Sequence, residues 1–90
     1  MNIELMNKIK SDLNEWAIQN ELLVKEFEFS TFQDAINFVN EVAKIADEAD
    51  HHPDIFISYN KVKISLTTHD VGEITEKDYS LAKAIEILEV

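Results

Sequence analysis

The chain has 90 residues, 46% of them hydrophobic and 29% charged, with a formal net charge of −10 at pH 7. That charge repels a phosphate backbone or an anionic bilayer, so neither nucleic acid nor a membrane is an expected partner. Cysteine is absent, which excludes a disulfide framework and a thiolate metal site and fits a reducing, cytoplasmic setting.

Residues 1–90 read as one domain, large enough to bury roughly 60–65% of the surface that the unfolded chain exposes. The N-terminal stretch MNIELMNKIK lacks the apolar run of a signal peptide. It instead places Ile3, Met6, Ile9 and Leu13 at helical spacing. Next comes a hairpin: Trp16 and Ile18 suit a short strand, Gln19–Asn20 the turn, and residues 22–29 a longer strand. Leu23, Lys25, Phe27 and Phe29 share one face of that strand.

Residues 31–49 carry the longest helical pattern, with Phe32, Ala35, Ile36, Val39, Val42, Ala43 and Ala46 in one stripe. Ser30 with Gln33 has the spacing of a capping box. A second row, Phe38, Ile45 and Ala49, widens the apolar surface and suggests a contact between subunits. Beyond Pro53 the chain forms a second hairpin reversing at Tyr59–Asn60 or Asn60–Lys61, with Val62, Ile64 and Leu66 on its buried face. The only glycine, Gly72, breaks the chain. Thr75 and Asp78 then open a last helix with an apolar face of Leu81, Ala82, Ile85 and Leu88. The order α-ββ-α-ββ-α implies an α+β two-layer sandwich, an antiparallel four-stranded sheet with helices on one face.

Chemistry concentrates in ADEADHHPDIFISYN, residues 46–60, which holds two of the three histidines beside the only proline. A residue before proline is pushed into extended geometry, and side chains adjacent in extended chain point to opposite sides. His51 and His52 are therefore not expected to do the same job. The second hairpin brings residues 51–53 and 68–70 to one end of the sheet, so His69 joins them, and Asp78 can point into the same space.

Simpler readings exist for each residue. A helix C-terminus favours histidine through its dipole, Asp78 is a capping residue, and Asp47, Glu48 and Asp50 form a solvated helix face. Three histidines and a carboxylate also compose a possible zinc site, although HxH and HxxxH spacings are absent. Acid–base chemistry suits the cluster as well, because histidine titrates near neutrality and neighbouring carboxylates favour its charged form.

These residues resemble a known family. Asp47, His51-His52-Pro53, Tyr59, His69 and Asp78 fall at the intervals of the pterin-4a-carbinolamine dehydratases. Upstream, Trp16, Leu23, Lys25, Phe27, Phe29, Phe32, Ala35, Phe38, Val42, Ala43 and Ala46 match the family's frame. Two positions depart from it: Ile55 stands where tryptophan is usual, and Gly72-Glu73 where two glycines are frequent. Both are expected at the edge of the pocket.

The resemblance implies elimination of water from a 4a-hydroxytetrahydropterin to give quinonoid dihydropterin, as part of tetrahydrobiopterin recycling. It implies no metal and no organic cofactor, and a homo-oligomer, either a dimer or a tetramer. His51 and His69 are then the acids, one for each face of the ring. His52 positions substrate or acts as base, and Asp78 orients or charges a histidine, with Asp47 a weaker candidate for that role. The pterin pocket is implied to be lined by Asp47, His51, His52, Pro53, Thr68, His69, Asp70 and Val71. The family also implies a rival from another class. Such a protein can serve as a dimerisation cofactor of a transcription factor or as an assembly factor with residual dehydratase activity. The intact histidines and Asp78 favour the enzyme.

Overall fold

The structure is a computed structural model that describes residues 1–88. Helix α1 (Ile3–Asp12) begins where Asn2 accepts the Leu5 N–H at 2.8 Å. Its buried row is Leu5 and Ile9, continued by Leu13, while Ile3 is exposed and Met6 half-buried. The expected and observed rows share Ile9 and Leu13, and packing of α1 on α3 (Glu76–Glu86) goes with Leu5, not Ile3 or Met6, as the buried residue of the first turn.

The first hairpin pairs β1 (Ala17–Gln19) with β2 (Leu22–Glu28). Its turn is Asn20–Glu21, one residue later than expected. Both residues have positive φ, 50° and 64°, which is the geometry whose twist matches two antiparallel strands joined by a two-residue loop. Trp16 lies before the strand rather than in it, and is buried. Its indole N–H donates to Glu86 at 2.9 Å, and Lys25 reaches the same carboxylate oxygen at 2.5 Å. Trp16 and Lys25 thus tie the hairpin to α3.

Helix α2 (Phe32–Ala49) is capped by Thr31, not Ser30: the Thr31 hydroxyl accepts the Asp34 N–H at 3.0 Å. Its core face also differs from the expected stripe. Ala35, Phe38, Val42 and Ala46 are buried, whereas Phe32 and Ala43 are exposed and Ile36 is half-buried. Phe38 goes inward because Phe27 and Phe29 offer it aromatic partners, with ring centroids 4.8 and 5.0 Å away. The small side chains of Ala35 and Ala46 let the helix lie close to its neighbours.

Strands β3 (Asp54–Ser58) and β4 (Lys61–Leu66) form the second hairpin around Tyr59–Asn60. The sheet order is β1-β2-β4-β3, antiparallel throughout, so the two hairpins join through their second strands from Leu23↔Leu66 to Glu28↔Lys61. Leu23, Val62, Ile64 and Leu66 of the sheet are fully buried together with Ile9, Ala35, Val42, Ala82 and Ile85 from the helix layer. Helices on one face of an antiparallel four-stranded sheet, in the order α-ββ-α-ββ-α, are the expected two-layer arrangement.

Away from the histidines, the Tyr79 hydroxyl donates to Asp12 and links α3 to α1. That bond holds the Asp12 carboxyl below its ordinary range, helped by the positive charge of Lys83, and it pushes the Tyr79 phenol up. No helix among the described residues is long and apolar enough to cross a membrane.

Candidate active site

The site is built where α2 ends. Asp50 takes the left-handed conformation, φ 51° and ψ 42°, which aspartate tolerates better than most residues. This turns the chain so that the His51 N–H reaches back to the Ala46 carbonyl at 3.2 Å, closing the last turn of the helix. His51 thereby lies between α2 and α3, and Pro53 then starts the run into β3.

From there the two imidazoles take different carboxylate partners. The His51 Nε2 lies 2.5 Å from Asp78 Oδ1, and the His51 side chain keeps only 12% of its exposure. The His52 Nε2 lies 2.9 Å from Asp47 Oδ1, with its side chain 59% exposed. Asp47 is therefore placed behind His52, whereas Asp78 supports His51.

Asp78 does more than cap a helix. It is fully buried and engages both oxygens: Oδ1 faces His51, while Oδ2 accepts the Thr75 N–H at 2.9 Å and the Thr68 hydroxyl at 2.8 Å. The capping box expected from Thr75 and Asp78 is complete, so one carboxyl group serves the helix start and the imidazole together.

His69 arrives from the other segment. The alternation of β4 carries on to Thr68, which is buried and forms an isolated bridge with Glu73. His69 and Asp70 follow in a turn rather than on the strand, and both are exposed. The three histidines line one cavity of about 320 Å³ with Asp50, Thr67, Thr68, Asp70 and Lys77. Val71 lines an adjoining hollow of about 460 Å³, shared with Thr68, Asp70, Thr75, Glu76 and Lys77. Asp47 and Pro53, expected to line the pocket, do not line either space: Asp47 turns to His52, and Pro53 immediately precedes β3. No three histidine, aspartate or glutamate side chains among the described residues are placed to hold a metal ion together.

Three lining residues escaped sequence reasoning. Asp50 belongs to the solvated helix face by pattern alone, and neither Thr67 nor Lys77 stands out by its residue type. Lys77 had a signal, since it sits at the start of a helix whose Asp78 was already assigned to the site.

A family model described as pterin 4 alpha carbinolamine dehydratase matches residues 2–88. The chain belongs to the pterin-4a-carbinolamine dehydratase family. It is 47% identical over 85 residues to a proposed pterin-4-alpha-carbinolamine dehydratase of Sulfurisphaera tokodaii, covering 94% of this chain and 87% of that one. A protein of the same description from Chloroflexus aurantiacus is 50% identical over 72 residues, covering 80% and 77%. Among solved structures, a transcriptional coactivator/pterin dehydratase from Brucella melitensis superposes with a TM-score of 0.86 at 31% identity, over 96% of this chain and 94% of that one. A pterin dehydratase-like RuBisCO assembly factor of the alpha-carboxysome shares the fold, with a TM-score of 0.65 at 21% identity over 79% and 82% of the two chains.

Of the two departures from the family's pattern, one lies away from the histidine cavity and the other supports the turn that carries His69. Ile55 lies in β3 beside a hollow on the sheet, apart from the histidine cavity, rather than at the pocket's edge. Gly72 supplies the positive φ of 70° that the turn needs. Glu73, in place of a second glycine, bridges to Thr68 and accepts the Met1 amine at 3.0 Å.

Proposed function

We propose that this site eliminates water from a 4a-hydroxytetrahydropterin, yielding quinonoid dihydropterin in a cytoplasmic recycling of tetrahydrobiopterin. The observation that supports this most is the convergence on one cavity of His51, His52 and His69, with His51 anchored on a buried carboxylate. In the elimination the C4a–O bond breaks as a proton reaches the departing hydroxyl. The N5 proton is lost, and its electron pair forms the C4a=N5 double bond. An acid and a base each contribute about 10²–10⁴-fold to such a step.

His51 and His69 approach from different segments and are assigned as acids for hydroxyls on opposite faces of the ring. With Nε2–H on Asp78, His51 as the acid carries a second proton on Nδ1, gives it to the departing hydroxyl and is left as the neutral ring protonated on Nε2. His52, held by Asp47 near solvent, positions the pterin or takes the N5 proton. The test is dehydration kinetics on the two resolved 4a-hydroxy isomers. His51→Ala and His69→Ala should each lose one isomer selectively, by roughly 10²–10⁴-fold, and His52→Ala both together. Equal losses on both isomers sink the face-by-face assignment, and full activity in all three folded variants sinks the site. No metal or organic cofactor is assigned, so activity should survive prolonged chelation.

A protein-binding role is the second reading, supported by the apolar row Phe32, Ile36 and Ala43 that α2 leaves outside the core. We assign this row first to self-association as a dimer or tetramer. Light scattering at micromolar concentration should give a mass well above the 10.4 kDa of one chain. A clean monomer would overturn that.

A further inference from the structure

Thr68 is buried, with 7% of its surface exposed, and its hydroxyl lies 2.8 Å from Asp78 Oδ2 and 2.6 Å from the Thr75 hydroxyl. A hydroxyl carries a single proton, so these contacts must run in series. The direction is set at the carboxylate end, because an ionised Asp78 can only accept and so takes the single Thr68 proton, while Thr75 Oγ1 accepts the Lys77 backbone N–H at 3.3 Å and keeps its own proton to give. Thr75 then donates to Thr68, and Thr68 to Asp78. The Thr75 N–H donates to the same carboxyl oxygen at 2.9 Å.

We propose that Thr68 is a positioning residue that locks His51 as the tautomer protonated on Nε2 and couples its placement to that of His69. Two donors on Oδ2 are strongest against a carboxylate. A proton moved from Nε2 to Asp78 would weaken both charge-assisted bonds. The ring therefore keeps Nε2–H toward Asp78 and leaves Nδ1 for substrate. The helix does not require this hydroxyl, since Thr75 and Asp78 complete the α3 capping box without it. The hydroxyl is also committed inward, so Thr68 acts on the reaction through Asp78 rather than by touching the pterin with its side chain.

The same residue holds the other histidine through its backbone. The Thr68 N–H donates to the Glu73 carbonyl at 3.1 Å, and its carbonyl accepts from Val71 at 3.2 Å and Gly72 at 2.9 Å. The turn carrying His69 and Asp70 is thus closed on Thr68. One residue joins the supports of two histidines that precede and follow the same hairpin.

The kinetic consequence rests on the dehydration reading, whereas the tautomer does not. The experiment is long-range proton–nitrogen-15 NMR of the histidine rings, recorded above their titration range, for the native chain, Thr68→Ser and the near-isosteric Thr68→Val. The native chain and Thr68→Ser should show His51 with Nε2 protonated and Nδ1 bare. Thr68→Val should show a mixture of tautomers and, on the isomer assigned to His51, a kcat about tenfold lower with little change in KM. A native His51 protonated on Nδ1 overturns the proposal. So does Thr68→Val with the native tautomer retained. If Thr68→Val does not fold, Thr68→Ala carries the same readout and the same two outcomes. A tautomer that is locked natively and released in the variant, in a protein that dehydrates neither isomer, upholds the positioning role and removes the dehydration reading.

Discussion

Side by side after the end of α2, His51 and His52 each present Nε2 to an aspartate. The first pair is enclosed, with side-chain exposures of 12% for His51 and 0% for Asp78, and the second is open, with 59% for His52 and 79% for Asp47. The chemistry of the two contacts is the same and the surroundings differ. Water and salt compete for an exposed pair, and two side chains must be ordered to make it. A buried pair has no such competitor, but neither partner can lose the other without leaving a polar group stranded. Enclosure, not pairing, separates a rigid imidazole from an adjustable one.

Substitutions at the two pairs put that comparison at risk. Asp78→Ala should have the largest effect. It strands His51 and the Thr68 hydroxyl and removes half of the α3 capping box, so unfolding in urea should show a loss of about 3–5 kcal/mol. His51→Ala should cost less, about 1–3 kcal/mol, because Asp78 keeps its two donors at Oδ2 and loses only the one at Oδ1. At the open pair, Asp47→Asn should shift stability by under about 1 kcal/mol, and the shift should shrink further in molar salt. An Asp47→Asn loss as large as that of Asp78→Ala would show that enclosure is not what distinguishes the pairs.

The smallest effect is expected at a third carboxylate contact, remote from the cavity, where Tyr79 donates to Asp12. Asp12 titrates below its ordinary value, first through that hydroxyl and then through Lys83. Its contribution to stability is therefore present above the ordinary carboxylate value and fades as pH falls through the depressed one. Tyr79 is shifted up, so its contribution holds below its ordinary value and fades as pH rises through the raised one. In Tyr79→Phe the Asp12 carboxyl should return toward its ordinary range, read by carbon-13 NMR titration, and the acid side of the stability curve should flatten. The catalytic pH profile should not change. A changed profile would mean that this contact, too, reaches the site.

The elements differ in how far local pattern could be read. Val62, Ile64 and Leu66 alternate cleanly, and each is fully buried. A strand offers two faces, so alternation settles which residues go inside. Helix α2 offers apolar residues around much of its circumference, from Phe32 through Ala46. Helical periodicity allowed several faces there, and the sheet chose the one carrying Phe38. Cap and turn positions were legible to within one residue, since Ser30 and Thr31 are both good caps and Asn20 can occupy either place in a two-residue turn.

At the site, the resemblance that the sequence carries supplied the family, and local pattern supplied the α-ββ-α-ββ-α order and the meeting of His51, His52 and His69 at one cavity. The order and the meeting follow from local rules, residue spacing and alternation. Only the tertiary structure decided which histidine turns inward. That depended on Asp78, 27 positions beyond His51 in the chain, being buried at the start of α3 where the left-handed Asp50 sends the His51 ring. It also decided that Thr68, which local pattern marks only as the next position of the β4 alternation beyond the strand's end, holds the carboxylate behind the imidazole. Burial and long-range hydrogen bonding are set by which surfaces the packed layers bring together, and no window along the chain contains both partners.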